Sequence, residues 1–300
     1  MTRRELLVMA LALGAAPGVA FAAGDKHDAS SPRIVTLFQG ATDTAVALGV
    51  TPVGVVESWQ DKPIYPYLRA ALSGVTLVGL ETQPSLEDIA LLAPDLIVAS
   101  RFRHQRIEPL LSALAPVLML DDIYRYRRTL DAMARALQRE PRAAVLSSTL
   151  TRRLALLRRR LERRFGDRWP LTVSLLDVRA GEIRSYLAAS FGGSLLSELG
   201  FQWDRVSGAS SGVMLQLGGV ESLPAIDADV FFVLRRRGQS AEAHYRRLSE
   251  HPLWQRLSAV RHGRVWEVDP VAWSLSGGIL GVFAILDDLD AWLASAGESS

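Results

Sequence analysis

Arginine and aromatic side chains recur in this sequence directly after short apolar runs. Trp59 follows Val53–Glu57, Arg101, Phe102, Arg103 and His104 follow Leu96–Ala99, and Arg179 follows Leu171–Leu176. Arg235, Arg236 and Arg237 follow Val230–Leu234, Trp273 follows Val265–Val268, and Arg184 and Tyr186 lie in Ile183–Leu187, behind the turn at Gly181. A guanidinium keeps its charge at any relevant pH, and its donor fork matches a carboxylate or other oxyanion bidentately. The pattern points to capture of an anion in a cationic, aromatic-edged cleft. Each residue also has a plainer reading: an arginine after a strand can simply face solvent, Trp59 and Trp273 can be core, and Tyr186 can pack in its strand. Arg236, alternating with its neighbours, is expected outside the cleft, whereas Arg103-His104 gains weight from Arg101 beside it.

Catalytic signatures are missing. The chain has no phosphate-binding loop, no Gly-x-Ser-x-Gly elbow and no His-Glu-x-x-His helix. His27, His104, His244, His251 and His262 do not pair at ligand spacing with one another or with a carboxylate cluster, so direct capture of a bare Zn²⁺ or Mn²⁺ is not expected. A metal inside an anionic chelate is a different matter, because the protein then binds the chelate's oxygens. No catalytic residue and no cofactor is expected; an exported α/β hydrolase is the alternative from another class.

The 300 residues carry 34 Lys+Arg against 32 Asp+Glu, a net charge of +2 that does not suggest a nucleic-acid partner. Cysteine is absent, which removes disulfides, thiolate metal sites and lipid attachment to an N-terminal cysteine. Arg3 and Arg4, the apolar run Leu6–Ala16 and the small-x-small Ala20-Phe21-Ala22 read as a cleaved signal peptide over 1–22, by the general secretory or the twin-arginine route. Its eleven apolar residues are too few for a membrane span. A disordered leader over 23–32 should follow, and the mature chain should be a soluble monomer in the periplasm.

The elements that must position the arginines follow from periodicity. Ile34–Leu37, Val53–Glu57, Val75–Val78, Leu96–Ala99 and Val117–Leu120 alternate with helical stretches, the signature of a parallel α/β sheet, and the alternation resumes after Pro170 to end on a helix near Ile279–Leu293. Between the halves, Leu146, Leu150, Leu154, Leu157, Leu161 and Phe165 trace one helical face with arginines opposite. The predicted organisation is an α/β lobe over 33–140, a connecting helix over 141–166 and a second α/β lobe over 167–297. The lobes share a phrase: Glu87, Asp95 and Arg101 recur at the same spacing as Glu221, Asp229 and Arg235, which points to duplication.

Arg33-Ile34-Val35, Ala47-Leu48-Gly49-Val50-Thr51-Pro52-Val53-Gly54, Val78-Gly79, Gln83-Pro84-Ser85-Leu86-Glu87, Ala93-Pro94-Asp95-Leu96-Ile97, His251-Pro252-Leu253-Trp254 and Gly263-Arg264-Val265 resemble the iron-chelate binding proteins of ABC importers. The ordered set spans residues 33–294 and is nearest the ferric-citrate and ferric-hydroxamate siderophore branch. This resemblance implies two Rossmann-like lobes joined by a single rigid helix, the class III periplasmic binding protein fold, with an Fe(III)-siderophore chelate held between the lobes by arginines and aromatics. It carries ligand roles onto Arg103-His104, onto Arg179, Gly181, Arg184 and Tyr186, and onto Trp273. It also carries docking to the inner-membrane ABC permease onto Glu87 and Glu221, where helix-start electrostatics is the plainer role. Cobalamin and haem binders share the fold and are the alternative ligands. Glu81 and Asp177 stand where arginines are frequent in this branch, and a carboxylate there repels an anionic chelate or selects a less negative one.

Overall fold

The computed structural model describes residues 32–295. The signal peptide expected over 1–22 and all of the leader except Pro32 lie outside the described residues. Six strands form the first sheet: β1 (Ile34–Thr36), β2 (Gly54–Glu57), β3 (Thr76–Leu80), β4 (Gln83–Pro84), β5 (Leu96–Ser100) and β6 (Val117–Leu120), in the order β4-β3-β2-β1-β5-β6. Every pair is parallel except β3 with β4. The second sheet contains β7 (Thr172–Val178), β8 (Ile183–Tyr186), β9 (Gln202–Trp203), β10 (Met214–Leu217), β11 (Val230–Leu234) and β12 (Val265–Val268). Its order is β10-β8-β7-β11-β12, with β9 added beside β7.

The second sheet departs from the wholly parallel arrangement predicted from alternation. β8 runs antiparallel to β7, and β10 antiparallel to β8. The cause is local: Arg179 N–H donates to the Glu182 carbonyl (2.9 Å) and Gly181 adopts a φ of 114°, so the chain reverses in a tight turn. Strands joined this closely can pair only antiparallel.

The duplicated phrase has one structural role in both halves. Asp95 accepts from Arg33 N–H (2.8 Å) at the entry to β1, and Asp229 accepts from Thr172 N–H (2.8 Å) at the start of β7. In each half the Asp precedes the strand that pairs in parallel with the one it grips, β5 with β1 and β11 with β7.

Pro141 sits in the first turn of the connecting helix Glu140–Phe165, where its missing N–H costs nothing. All six residues of the predicted stripe, Leu146 to Phe165, are buried. At 26 residues the helix is about 39 Å long. Arg153 and Arg160 on its polar side pair with Asp290, and Arg153 also with Asp287, on the closing helix Ile279–Ser295. One apolar core runs from Ile34 and Val98 of the first sheet, along the connecting helix, to Val173 and Phe232 of the second. Neighbouring residues such as Val35 and Ile97, or Leu176 and Phe231, point to separate cores on the opposite sheet faces.

The closing helix also locks onto the first half. A side chain at Gly40 would place its Cβ 2.5 Å from the Gly277 carbonyl oxygen, so the two backbones can meet only because residue 40 is glycine. Close by, buried Asp43 accepts from Leu280 N–H (2.8 Å), Gly281 N–H (3.0 Å) and the Tyr67 hydroxyl (2.8 Å). It satisfies orphan amides at the start of the closing helix. Burial pushes Asp43 up to about 7, against the pull of those three donors. A carboxyl raised in the folded state binds more protons there than in the unfolded chain, so stability falls as pH rises from about 4 to 7 and then levels. Chemical denaturation of Asp43→Asn across that window should show this fall, on the order of 4 kcal/mol, flattened relative to the native chain.

Candidate functional site

A cavity of about 400 Å³ opens between the sheets, beyond the carboxyl ends of β1, β2, β3, β5 and β6 of the first and of β7 and β12 of the second, where open α/β sheets place their ligands. From the first half it is lined by Trp59, Glu81, Arg103 and the start of helix Gln39–Ala47, and from the second by Arg179, Arg184, Tyr186 and Trp273. Six of the nine residues singled out from the sequence therefore come together: Trp59, Arg103, Arg179, Arg184, Tyr186 and Trp273.

Each cavity arginine is held by a carboxylate. Arg103 Nε donates to Glu81 Oε1 (3.2 Å), and Arg179 Nε donates to Asp177 Oδ2 (2.8 Å). In both cases the carboxylate takes the Nε edge, which leaves the terminal side of a cavity-lining arginine toward a ligand, with the Tyr186 hydroxyl a further partner of Arg179. Arg184 pairs through Nη2 with Glu182 (2.6 Å), and its Nε is buried without a partner.

The two buried carboxylates differ electrostatically. Asp177, fully buried at the end of β7, receives Arg236 bidentately (2.8 and 2.9 Å) as well as Arg179. Burial works to raise its pKa, but the hydrogen bonds and charges of the two arginines outweigh burial and hold it below the ordinary carboxylate range. Glu81 is 3% exposed and has one arginine, together with the Trp59 indole N–H (3.2 Å) and the Gln39 amide (3.3 Å). There burial prevails and its pKa is raised. Trp59 is 44% exposed at the mouth, with the Arg103 guanidinium 5.6 Å from its ring centroid. Trp273 forms the wall from a position in the core, packed at 4.9 Å on Phe232 and donating to Asp288 (2.7 Å).

Three of the nine residues lie elsewhere. His104 is fully buried beneath the site: Nδ1 accepts from Ser100 N–H (3.1 Å), so Nε2 donates to the Glu81 carbonyl (2.8 Å). Burial, aided by the Arg103 charge, keeps this imidazole below its usual range. Its place is under the loop that carries Glu81. Arg101 is exposed and turns to Glu108 (3.4 Å). Arg235 pairs with Glu267 (3.2 Å) and lies 5.0 Å from the Tyr245 ring centroid. Side-chain alternation past β11 sends Arg235 away and turns Arg236, two positions beyond Leu234 of the Leu234–Asp177 register pair, toward Asp177. Arg236 thus lies outside the cavity, as expected, but directly behind it.

Sequence reasoning missed the carboxylates' function of aiming arginines. It also passed over Tyr124, which lines the cavity soon after β6 and could have been found by the rule that found Arg103 after β5. Glu87 lies exposed in the first turn of helix Leu86–Leu91, whose Ser85 cap accepts from Asp88 N–H (3.2 Å), and Glu221 lies exposed in the 3₁₀ turn Val220–Ile226. Neither lines the cavity.

Comparison with known proteins bears on the family and the fold. The chain is 58% identical over 269 residues to the achromobactin-binding periplasmic protein of Dickeya dadantii, covering 89% of this chain and 88% of that protein. It is 30% identical over 263 residues to the Fe(3+) dicitrate-binding periplasmic protein FecB of Escherichia coli, covering 85% and 83%. The crystal structure of Staphylococcus aureus SirA complexed with staphyloferrin B matches with a TM-score of 0.84 at 34% identity, over 89% of this chain and 94% of that one. The profile described as periplasmic binding protein matches residues 34–272. With two α/β sheets bridged by one long helix and a cleft at their carboxyl ends, this chain belongs to the periplasmic binding protein family.

Proposed function

We propose that the protein binds the ferric complex of a carboxylate-bearing siderophore, achromobactin or a citrate-derived relative of it, and delivers the chelate to an ABC permease in the inner membrane. The observation that carries this reading is the pair of buried carboxylates that turn the terminal nitrogens of Arg103 and Arg179 over to one cavity from opposite sides. The likeness to a protein named for achromobactin supports the choice of chelate. Iron arrives as cargo inside the chelate. The role is binding rather than catalysis, and Glu87 and Glu221 are the proposed docking points. Export by a cleaved signal peptide, without a lipid anchor, fits the basic and apolar opening of a chain that has no cysteine.

Tryptophan fluorescence is the direct test, since Trp59 and Trp273 both line the cavity. Titration with the ferric complexes of achromobactin, staphyloferrin B, citrate, a trihydroxamate and a tricatecholate should give saturable quenching with the carboxylate chelates at the lowest concentrations. Preference for the catecholate, or no response to any chelate, would refute the reading. Arg103→Ala and Arg179→Ala should each weaken the best chelate by about 1.5–3 kcal/mol, the scale of hydrogen bonds to charged groups. By the same titration that is roughly a 10- to 150-fold rise in Kd.

A further inference from the structure

The charges around the cavity are unequal in a way that binding of an anion alone does not call for. Four guanidiniums (Arg103, Arg179, Arg184 and Arg236) stand with three carboxylates (Glu81, Asp177 and Glu182), so the site has a net of only one positive charge. On the second-half side, Asp177 lies behind the lining and is clamped between two arginines. On the first-half side, Glu81 is itself part of the lining. Its three side-chain partners are all donors and use three of the roughly four acceptor positions of a carboxylate. Oε2 accepts two of them and Oε1 only that from Arg103, so one acceptor position is left on a side chain that lines the cavity.

We propose that Glu81 is a specificity-determining residue: it accepts a hydrogen bond from a donor group on the chelate, an amide N–H, hydroxyl or ammonium, and disfavours chelates that present only carboxylates at that end. This rests on the proposed function and deepens it. A donor-bearing chelate lies with its donor at Glu81 and its carboxylates at Arg103, Arg179 and Arg184. An all-carboxylate chelate brings oxygen against oxygen there, and the contact is relieved only when Glu81 takes up a proton and becomes the donor.

The surroundings leave Glu81 as the group that takes this proton. From the short helix Arg101–His104 after β5, it is faced by Arg103, whose charge opposes protonation, and by the buried His104 beneath its own carbonyl, with Nδ1 accepting from Ser100 N–H. The phenols of Tyr65 and Tyr124 complete the shell, both raised by burial and neutral throughout the acid range. Glu57, at the end of β2, is paired with Lys62 (2.7 Å), and its carbonyl receives the Gln39 amide. Burial of Glu81 already favours its protonated form, so a nearby anion has less to overcome.

The test compares ferric dicitrate, which offers carboxylates, with ferric achromobactin in the full-length protein and in Glu81→Gln and Glu81→Asp, by fluorescence titration from pH 5.5 to 8. Dividing variant by native affinity at each pH cancels the chelate's own titration. Glu81→Gln should gain about tenfold for dicitrate relative to achromobactin at pH 8, and the gain should shrink toward unity at pH 5.5. Glu81→Asp, which keeps the charge, should retain the native discrimination and its pH dependence. A dicitrate-to-achromobactin ratio unchanged within twofold in Glu81→Gln, or a gain independent of pH, would overturn the assignment. Matched melting temperatures exclude a folding defect as the source of either result. Failure of the native chain to bind any ferric chelate would instead overturn the proposed function.

Discussion

Asp177→Ala is expected to unfold about 3–5 kcal/mol more easily than the native chain, because Arg236 would be left behind the cavity with its charge uncompensated and its side chain 11% exposed. For a protein of this size that corresponds to a melting temperature lower by about 6–20 °C, measurable by calorimetry. Chelate binding should fall with it, since Arg179 would lose the partner that fixes its Nε edge. The pH dependence gives a second signature. Asp177 is held below the ordinary carboxylate range, so its contribution is fully present above about pH 4 and is lost as pH falls through its folded value. The variant should therefore lose less stability below pH 4 than the native chain does. Asp177→Leu combined with Arg236→Met removes both charges and should recover most of the stability without restoring affinity. If the single variant melts with the native chain, Asp177 does not anchor the two arginines.

Glu87→Ala with Glu221→Ala should leave the Kd for the chelate unchanged and reduce iron uptake to the background of cells lacking the protein. Both carboxylates are exposed, neither touches the cavity, and each opens a short helical turn in its own half. Loss of a favourable helix-start charge costs only about 0.3–1 kcal/mol, so folding should survive the double change. Uptake of radiolabelled ferric chelate by cells, set beside fluorescence titration of the purified variant, separates transport from binding. Uptake at the native rate would refute the docking role.

The fold was largely legible because its strongest signals are local and periodic. The stripe from Leu146 to Phe165 could belong only to a long helix, and the short apolar runs fell on the central strands of both sheets. The antiparallel β8 and β10 escaped because four-residue runs do not encode direction; the reversal at Gly181 does, through its positive φ. At the site, attention to the residues just past the end of each strand found Arg103 and Arg179. Position along the chain could not tell which way a side chain leaves, so Arg101 and Arg235 were grouped with them. Glu81 and Asp177 were legible as departures from a pattern of arginines. Their function was not, because it depends on Nε geometry across segments 22 and 2 residues apart in sequence and, for Arg236, 59.

The continuous core and the Asp43 latch bear on turnover as well as on shape. Prising the halves apart would expose leucines of the connecting helix and break the seal at the head of the closing helix, so on the proposed reading a captured chelate should leave slowly unless the permease assists. On the same reading, a carrier this stiff would change little in outline between loaded and empty, and vacant copies should compete with loaded ones for the permease.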